Sequence, residues 1–314
     1  MKAIVLENPG AAGQLEYREV AVPTISENEV LVRVKAISIN PVDAKTRSGH
    51  GVYGRIKDQS PLIIGWDIAG IVTGTGPGVT RFKAGDEVFG MVNFPGHGQA
   101  YAEFAAAPES HLALKPANIS FEQAAASTLA ALTAWQAFTK QGKLEKGQKV
   151  LIHAAAGGVG HFAVQLARYL GAYVVGTSSA ANRDFVITLG ADAHIDYTRQ
   201  DLKDVIQDAD FVLDTIGGDN IDRSLDVVKP GGTLISIPSG LNEHVTEKAK
   251  AKGVNGFFFL VSSNGEDMEQ VARLLEEGII RPYVSRIYEF DEMKAAHEHQ
   301  ETGRVRGKLV VRGV

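Results

Sequence analysis

The chain contains no cysteine. Disulfides, thiolate zinc sites, iron–sulfur clusters and cysteine nucleophiles are therefore excluded. An excess of basic residues is also missing, since 32 lysines and arginines face 37 acidic residues for a net charge of −5. Nucleic acids and anionic membrane surfaces want the opposite balance, so neither is expected as a partner. No apolar run approaches the roughly 18 residues that span a bilayer. The opening Met1-Lys2-Ala3-Ile4-Val5-Leu6-Glu7 breaks its apolar run too early for a secretory signal. The expectation is a soluble, cytoplasmic protein.

What is present is globular. Apolar residues make up 44% and charged residues 22% of 314 positions, enough for two ordinary domains with a sizeable core. Glycine is over-used, 34 residues against a usual share of about 7%. Without low-complexity repeats, that points to many tight turns and to backbone approached closely by ligands.

The first 120 residues or so read as short strands and loops. In Glu29–Lys35, Val30, Val32 and Val34 share one face, the alternation of a half-buried strand. Pro and Gly then punctuate every few positions up to Gly85, which suits a compact β-barrel-type module. Phe121–Phe138 reads as an alanine-rich helix, with Ser120 as N-cap and Gln123 at the capping-box position. From Lys149, strand-like runs alternate with helix-length crossovers: Val150–His153, Tyr173–Thr177, His194–Tyr197, Phe211–Asp214, Thr233–Ile237 and Phe257–Val261. That alternation predicts a doubly wound parallel sheet, so the fold class is α/β. Beyond about Ser263 the pattern breaks, with helices expected at Glu266–Glu277 and Asp291–Thr302 and strands at Ser285–Phe290 and Lys308–Val311. The expected division is 1–120, 121–263 and 264–314, the last segment returning to the first module.

The strongest motif runs from Lys149 to Ala172. A buried strand enters Ala155-Ala156-Gly157-Gly158-Val159-Gly160 and then an amphipathic helix. This is the GxGxxG dinucleotide fingerprint with alanine first, in the strand–turn–helix setting it requires. Gly157 lets backbone touch a pyrophosphate, Gly160 lets the helix pack on the strand, and the helix N-terminus offers N–H groups to the anion. The second strand ends in Ser178-Ser179, followed by Arg183, where an NAD site would carry a carboxylate for the ribose 2′-hydroxyl. Hydroxyls and a guanidinium suit a 2′-phosphate, and Tyr197 on the same edge adds a donor. NADP(H) is the expected cofactor. Ser239-Gly240 and Phe259-Leu260 follow the fifth and sixth strands, whose ends face the cofactor crevice.

Over essentially its whole length the sequence resembles the medium-chain dehydrogenase/reductase superfamily, and within it the zinc-free quinone-reductase (zeta-crystallin-like) branch. The resemblance is carried in order by Asn40-Pro41-Val42-Asp43, Gly65-Trp66-Asp67-Ile68-Ala69-Gly70, Gly85-Asp86-Glu87-Val88-Phe89-Gly90, Tyr101-Ala102-Glu103-Phe104, Leu132-Thr133-Ala134-Trp135, the glycine turn, Leu213-Asp214-Thr215-Ile216-Gly217-Gly218 and Gly307-Lys308-Leu309-Val310. It implies a GroES-like catalytic domain and a Rossmann domain, with the active site in the cleft between them.

In the zinc-dependent members the first catalytic cysteine aligns with Asn40 and the histidine ligand with Trp66, so no metal is expected here. Without a zinc Lewis acid, acceptors that are electrophilic already are favoured: quinones, or alkenes conjugated to a carbonyl. The resemblance makes Asn40 a donor to substrate oxygen, Tyr53 a hydrogen-bond or proton donor, and Thr133 a contact of the nicotinamide carboxamide. The leading expectation is an NADPH-dependent quinone reductase; an enone or enal double-bond reductase is the alternative, and a non-catalytic NADPH-binding protein a lesser one. His97, in a glycine-flanked loop, is a further candidate for touching substrate, and the apolar Phe257–Val261 run suggests a homodimer built on a sheet edge.

Overall fold

The structure is a computed structural model and describes residues 1–313. The chain divides into two compact units, Met1–Leu132 with Val261–Val314, and Thr133–Leu260.

The first unit opens with β1 (Lys2–Leu6), β2 (Leu15–Glu19), β3 (Glu29–Ile39), α1 (Pro41–Arg47), α2 (Tyr53–Ile56), β4 (Asp67–Thr75), β5 (Glu87–Met91), β6 (Phe104–Pro108), β7 (Leu112–Leu114) and α3 (Phe121–Ala126). Helix α4 (Leu129–Gln136) carries the chain across the division into the second unit. There follow β8 (Lys149–Ile152), α5 (Gly160–Tyr169), β9 (Tyr173–Ser178), α6 (Arg183–Thr188), β10 (Ala193–Asp196), α7 (Leu202–Val205), β11 (Ala209–Asp214), α8 (Asn220–Leu225), β12 (Val228–Ser236), α9 (Val245–Ala251) and β13 (Asn255–Phe258). The chain then completes the first unit with α10 (Gly265–Glu276), β14 (Val284–Tyr288), α11 (Met293–Glu301) and β15 (Lys308–Arg312).

In the first unit the seven-stranded sheet runs β14-β15-β3-β4-β5-β7, with β6 also on β3. Val30, Val32 and Val34 are fully buried while Arg33 between them is exposed, as the alternation requires. The alternation ends at a register shift between Val34 and Ala36. Beyond it Ala36 to Ile39 are all buried, because β3 there lies between β4 and β15. β15 pairs antiparallel with β3, placing Leu309 opposite Ile39. The first segment therefore extends to Leu132, past the expected boundary at 120, since α3 packs on β3 and β4.

The helix expected over Phe121–Phe138 is broken into α3 and α4, with a π-helical turn over Ala137–Gln141 following α4. Ser120 and Gln123 do form the capping box, each side chain bonding the other's backbone N–H. The break comes at Ser127 and Thr128, whose hydroxyls donate back to Gln123 O and Ala125 O at 2.8 Å and compete with helix continuation. The second helix then starts on a carboxylate from another strand, Asp67 Oδ1, which accepts from Leu129 N–H at 3.0 Å.

In the second unit six parallel strands take the order β10-β9-β8-β11-β12-β13. By position in the unit that is 3-2-1-4-5-6, the doubly wound dinucleotide-binding order. Its apolar filling includes Leu151, Val212, Ile221 and Leu234. Because the strands are parallel, their carboxyl ends share one edge, and ligands of such sheets bind there.

Candidate functional site

The glycine turn occupies the carboxyl end of β8. Ala155 N–H donates to Thr177 O at 2.8 Å and Gly157 N–H to Ala154 O at 2.8 Å, folding the chain back before α5 begins. A Cβ on Gly160 would lie 2.1 Å from Ala154 O, so no other residue fits there without moving backbone. At Gly157 the Cβ would stand 3.1 Å from the same oxygen, with open space beyond. Gly157, Gly158 and Val159 are half-buried and Ala156 is buried; the N–H groups of Gly158, Val159 and Gly160 have no backbone partner among the described residues, while those of His161 to Ala163 donate back to the turn. This cradle fits a dinucleotide pyrophosphate.

His153 closes the base of the turn. Its Nδ1 lies 3.2 Å from Thr177 Oγ1 and its Nε2 2.9 Å from Ser224 Oγ. Burial pulls its pKa down to about 4, partly opposed by Asp214, so the ring is neutral and structural.

Beyond β9 the expected residues separate. Ser178 is buried, with its hydroxyl 2.7 Å from His194 Nε2 and donating to Ser179 O at 3.2 Å. Arg183 begins α6, its side chain 68% exposed and 3.9 Å from Asp184. A cavity of about 330 Å³ opens at the carboxyl ends of β8, β9, β10 and β11, lined by Thr177, Tyr197, Arg199, Asn220 and Arg223 among others. Of the four residues expected to read the 2′-phosphate, Tyr197 alone is among those that line it. Thr133 is buried in α4. Ser239 and Gly240 follow β12, Gly240 at φ +73°, while Phe259 is buried with its N–H on Ser236 O at 2.9 Å and Leu260 is half-buried.

Sequence reasoning missed Arg199, Arg223 and Asp214. The two arginines sit in ordinary polar stretches, and only the third and fourth strand ends bring them to the cavity. Asp214 did have a signal, an aspartate three residues before a glycine pair. Its carboxylate is wholly buried and accepts from Ile216 N–H, Gly217 N–H, Asn220 Nδ2 and Ser236 Oγ at 2.8–3.1 Å. It holds the turn after β11, where Gly217 and Gly218 have φ of +76° and +58°.

In the first unit Asn40 is not the free donor expected from the resemblance. It is 1% exposed, its Nδ2 donates to Asp67 Oδ2 at 2.7 Å and to Ser38 O at 3.4 Å, and its Oδ1 accepts from the Lys308 ammonium. Its own N–H donates to Asp43 Oδ2 at 2.6 Å. Asp43, Asp67 and Lys308 are all buried, and the ammonium acts electrostatically on both carboxyls. Burial, then the neighbouring Asp67, pushes the Asp43 carboxyl up to about 8; burial likewise raises Asp67 and lowers Lys308. The Tyr101 hydroxyl lies 2.9 Å from His297 Nε2, and burial together with the nearby Asp43 carboxylate raises its pKa. The sequence shows none of these meetings, because the partners come from β3, α1, β4, α11 and β15.

Tyr53, the first residue of α2, is half-buried beside a cavity of about 290 Å³ shared with Glu7, Lys57 and Ser60. His97 lies in a loop fixed over Trp66, whose Nε1 donates to Gly96 O at 2.7 Å and whose ring meets Phe94 edge-on. The ring is half-buried, and its Nε2 has no hydrogen-bond partner among the described residues. Among the described residues, no cluster of three or more His, Asp or Glu side chains is placed to hold a metal ion.

A doubly wound parallel sheet with a fitted dinucleotide turn, next in the chain to a GroES-like β module, defines the nicotinamide-dependent dehydrogenase class. Two family models match, the alcohol dehydrogenase GroES-like domain over residues 26–117 and the zinc-binding dehydrogenase domain over residues 189–311. The chain is 34% identical over 321 residues to a 2-methylene-furan-3-one reductase of Solanum lycopersicum, covering 99% of this chain and 79% of that protein. Among solved structures, a quinone oxidoreductase from Coxiella burnetii is 39% identical with a TM-score of 0.95, covering 100% of this chain and 99% of that one. The Escherichia coli quinone oxidoreductase complexed with NADPH is 30% identical with a TM-score of 0.88, covering 99% of this chain and 100% of that one. The chain belongs to the medium-chain dehydrogenase/reductase family.

Proposed function

We propose that this protein is an NADPH-dependent, zinc-independent reductase whose acceptor is a quinone, with a conjugated enone or enal as the second reading. The observation that carries it is the pairing of an intact dinucleotide turn with Asn40 and Trp66 at the positions where zinc-dependent relatives carry metal ligands. The enone reading is favoured by the similarity to a methylene-furanone reductase, and the quinone reading by the two similar quinone oxidoreductases.

Bound NADPH supplies a hydride from its nicotinamide ring. The chain's part is to bind and orient. Backbone N–H groups of Gly158, Val159 and Gly160 take the pyrophosphate, Ala156 and Gly157 flank it, and Tyr197 serves the adenosine end, with Ser178, Ser179 and Arg183 at and beyond the end of β9, outside the cavity wall. Thr133, Ser239, Gly240, Phe259 and Leu260 are assigned to the nicotinamide end, and Tyr53 to the acceptor. Asn40 acts as a positioning residue, since its side chain is held by Asp67 and Lys308.

A homodimer is part of the proposal. β13 ends the sheet with its outer edge unpaired, and Phe258 is 38% exposed on it. A second copy of that edge would cover it. A single monomeric species in sedimentation at micromolar concentration would remove the dimer from the proposal.

A steady-state screen tests the function, pairing NADPH with quinones, enals, enones and simple ketones, with and without EDTA. Turnover of quinones that EDTA leaves intact, with ketones inert, is expected. Ketone reduction abolished by EDTA would overturn the reading, and turnover of enones alone would select the second one.

A further inference from the structure

We infer that Arg199, on the loop after β10, reads the adenosine 2′-phosphate and so sets the preference for NADPH; this rests on the cofactor reading above. In a doubly wound site the ribose 2′ position belongs beside the end of the second strand, β9. The cavity at that end is lined by Thr177 of β9 together with Tyr197 and Arg199. Arg183, the residue expected from the sequence, is not among those that line it. Ser178, the neighbouring hydroxyl, is already engaged by His194 and by Ser179 O.

Arg199 is available for such a bond. Its side chain is 81% exposed, and its one ion-pair contact, to Asp196 Oδ2, is a long 3.9 Å. Asp196 has nearer partners, accepting from Thr198 N–H at 3.0 Å and Thr198 Oγ1 at 2.7 Å. Its negative charge is thus satisfied locally and leaves the guanidinium free to turn toward the cavity. Asp201 also lines the cavity and opposes a phosphate, while Arg223, another lining residue, restores the positive balance. A guanidinium can donate two parallel bonds to phosphate oxygens, a geometry a hydroxyl cannot supply.

Calorimetric titration with 2′,5′-ADP and with 5′-AMP tests this without turnover. Wild type is expected to bind 2′,5′-ADP more tightly. Arg199→Ala should weaken 2′,5′-ADP by roughly tenfold or more and leave 5′-AMP within about twofold. Arg183→Ala should change the ratio less than Arg199→Ala does. An unchanged ratio in Arg199→Ala, or a larger loss in Arg183→Ala, overturns the assignment while leaving the cofactor reading intact. Equal binding of the two nucleotides by wild type overturns the cofactor reading itself, and the assignment with it.

Discussion

Asn40 Nδ2 donates to Asp67 Oδ2 at 2.7 Å, and that bond fixes the start of α1 to the start of β4. Asp67 also receives Leu129 N–H through its other oxygen, so one buried carboxylate anchors two helix N-termini. Lys308, whose ammonium bonds Ile39 O at 2.9 Å and the Asn40 carboxamide, lies near enough to favour the charge on Asp67. Asp67→Ala would take a countercharge from the buried ammonium and free two buried donors at once. Leaving a buried charge without its opposite costs about 3–5 kcal/mol. Urea unfolding should show a loss of that order, and a smaller loss for Lys308→Met combined with Asp67→Asn, which removes both charges. A loss below about 1 kcal/mol in the single variant would contradict the network's importance.

Asp43 gives stability a pH dependence. Its carboxyl titrates at about 8 in the folded chain, against 3.8 ordinarily, because burial and Asp67 disfavour the charge. Between those values the folded state holds a proton that the unfolded state has released, so stability falls as pH rises, by at most about 1.4 kcal/mol per pH unit. Below the lower value both states are protonated, and above the upper one both are ionised. Asp43→Asn cannot ionise and still offers Asn40 N–H an acceptor. Its stability relative to wild type should therefore climb between pH 5 and pH 7.5, read from paired urea titrations. Parallel pH profiles for the two proteins would show that Asp43 is ionised throughout.

The two glycines of the turn separate folding from binding. At Gly160 an added Cβ meets backbone oxygen at 2.1 Å, a clash that only a shift of the strand or helix relieves. Gly160→Ala should lose about 1–3 kcal/mol of stability together with NADPH binding. At Gly157 the nearest atom would be 3.1 Å away, a few tenths of an ångström too close. Gly157→Ala should keep near-native melting yet bind NADPH at least tenfold more weakly, since its methyl enters the space the pyrophosphate needs. Tight NADPH binding by Gly157→Ala would place the pyrophosphate elsewhere.

Features held by local physics were readable in the sequence, and those made by long-range meetings were not. The β3 alternation, the Ser120–Gln123 capping box and the strand–turn–helix around Gly157 each depend on residues a few positions apart. The break at Ser127-Thr128 was hidden because alanine-rich flanks favour one continuous helix, and only Asp67, from β4, supplies the second start. Asn40 looked like a donor to substrate for the same reason. The residues that occupy its carboxamide, Asp67 and Lys308, lie in strands far along the chain. Arg183 precedes the third strand and Arg199 follows it, and choosing between them takes the cavity's walls.

Ser178 carries the last prediction. Its hydroxyl sits at the carboxyl end of β9, within 2.7 Å of His194 Nε2. NAD-specific sites place a carboxylate at this strand end, where it accepts from the ribose 2′-hydroxyl and repels a 2′-phosphate. Ser178→Asp would install that carboxylate beside His194. The imidazole, whose pKa burial now lowers, would gain an anionic partner and titrate higher. The added charge should shift kcat/KM from NADPH toward NADH. The measurement is the ratio of kcat/KM for the two cofactors in wild type and in the variant. A ratio that matches wild type would mean that the 2′ position lies away from the end of β9.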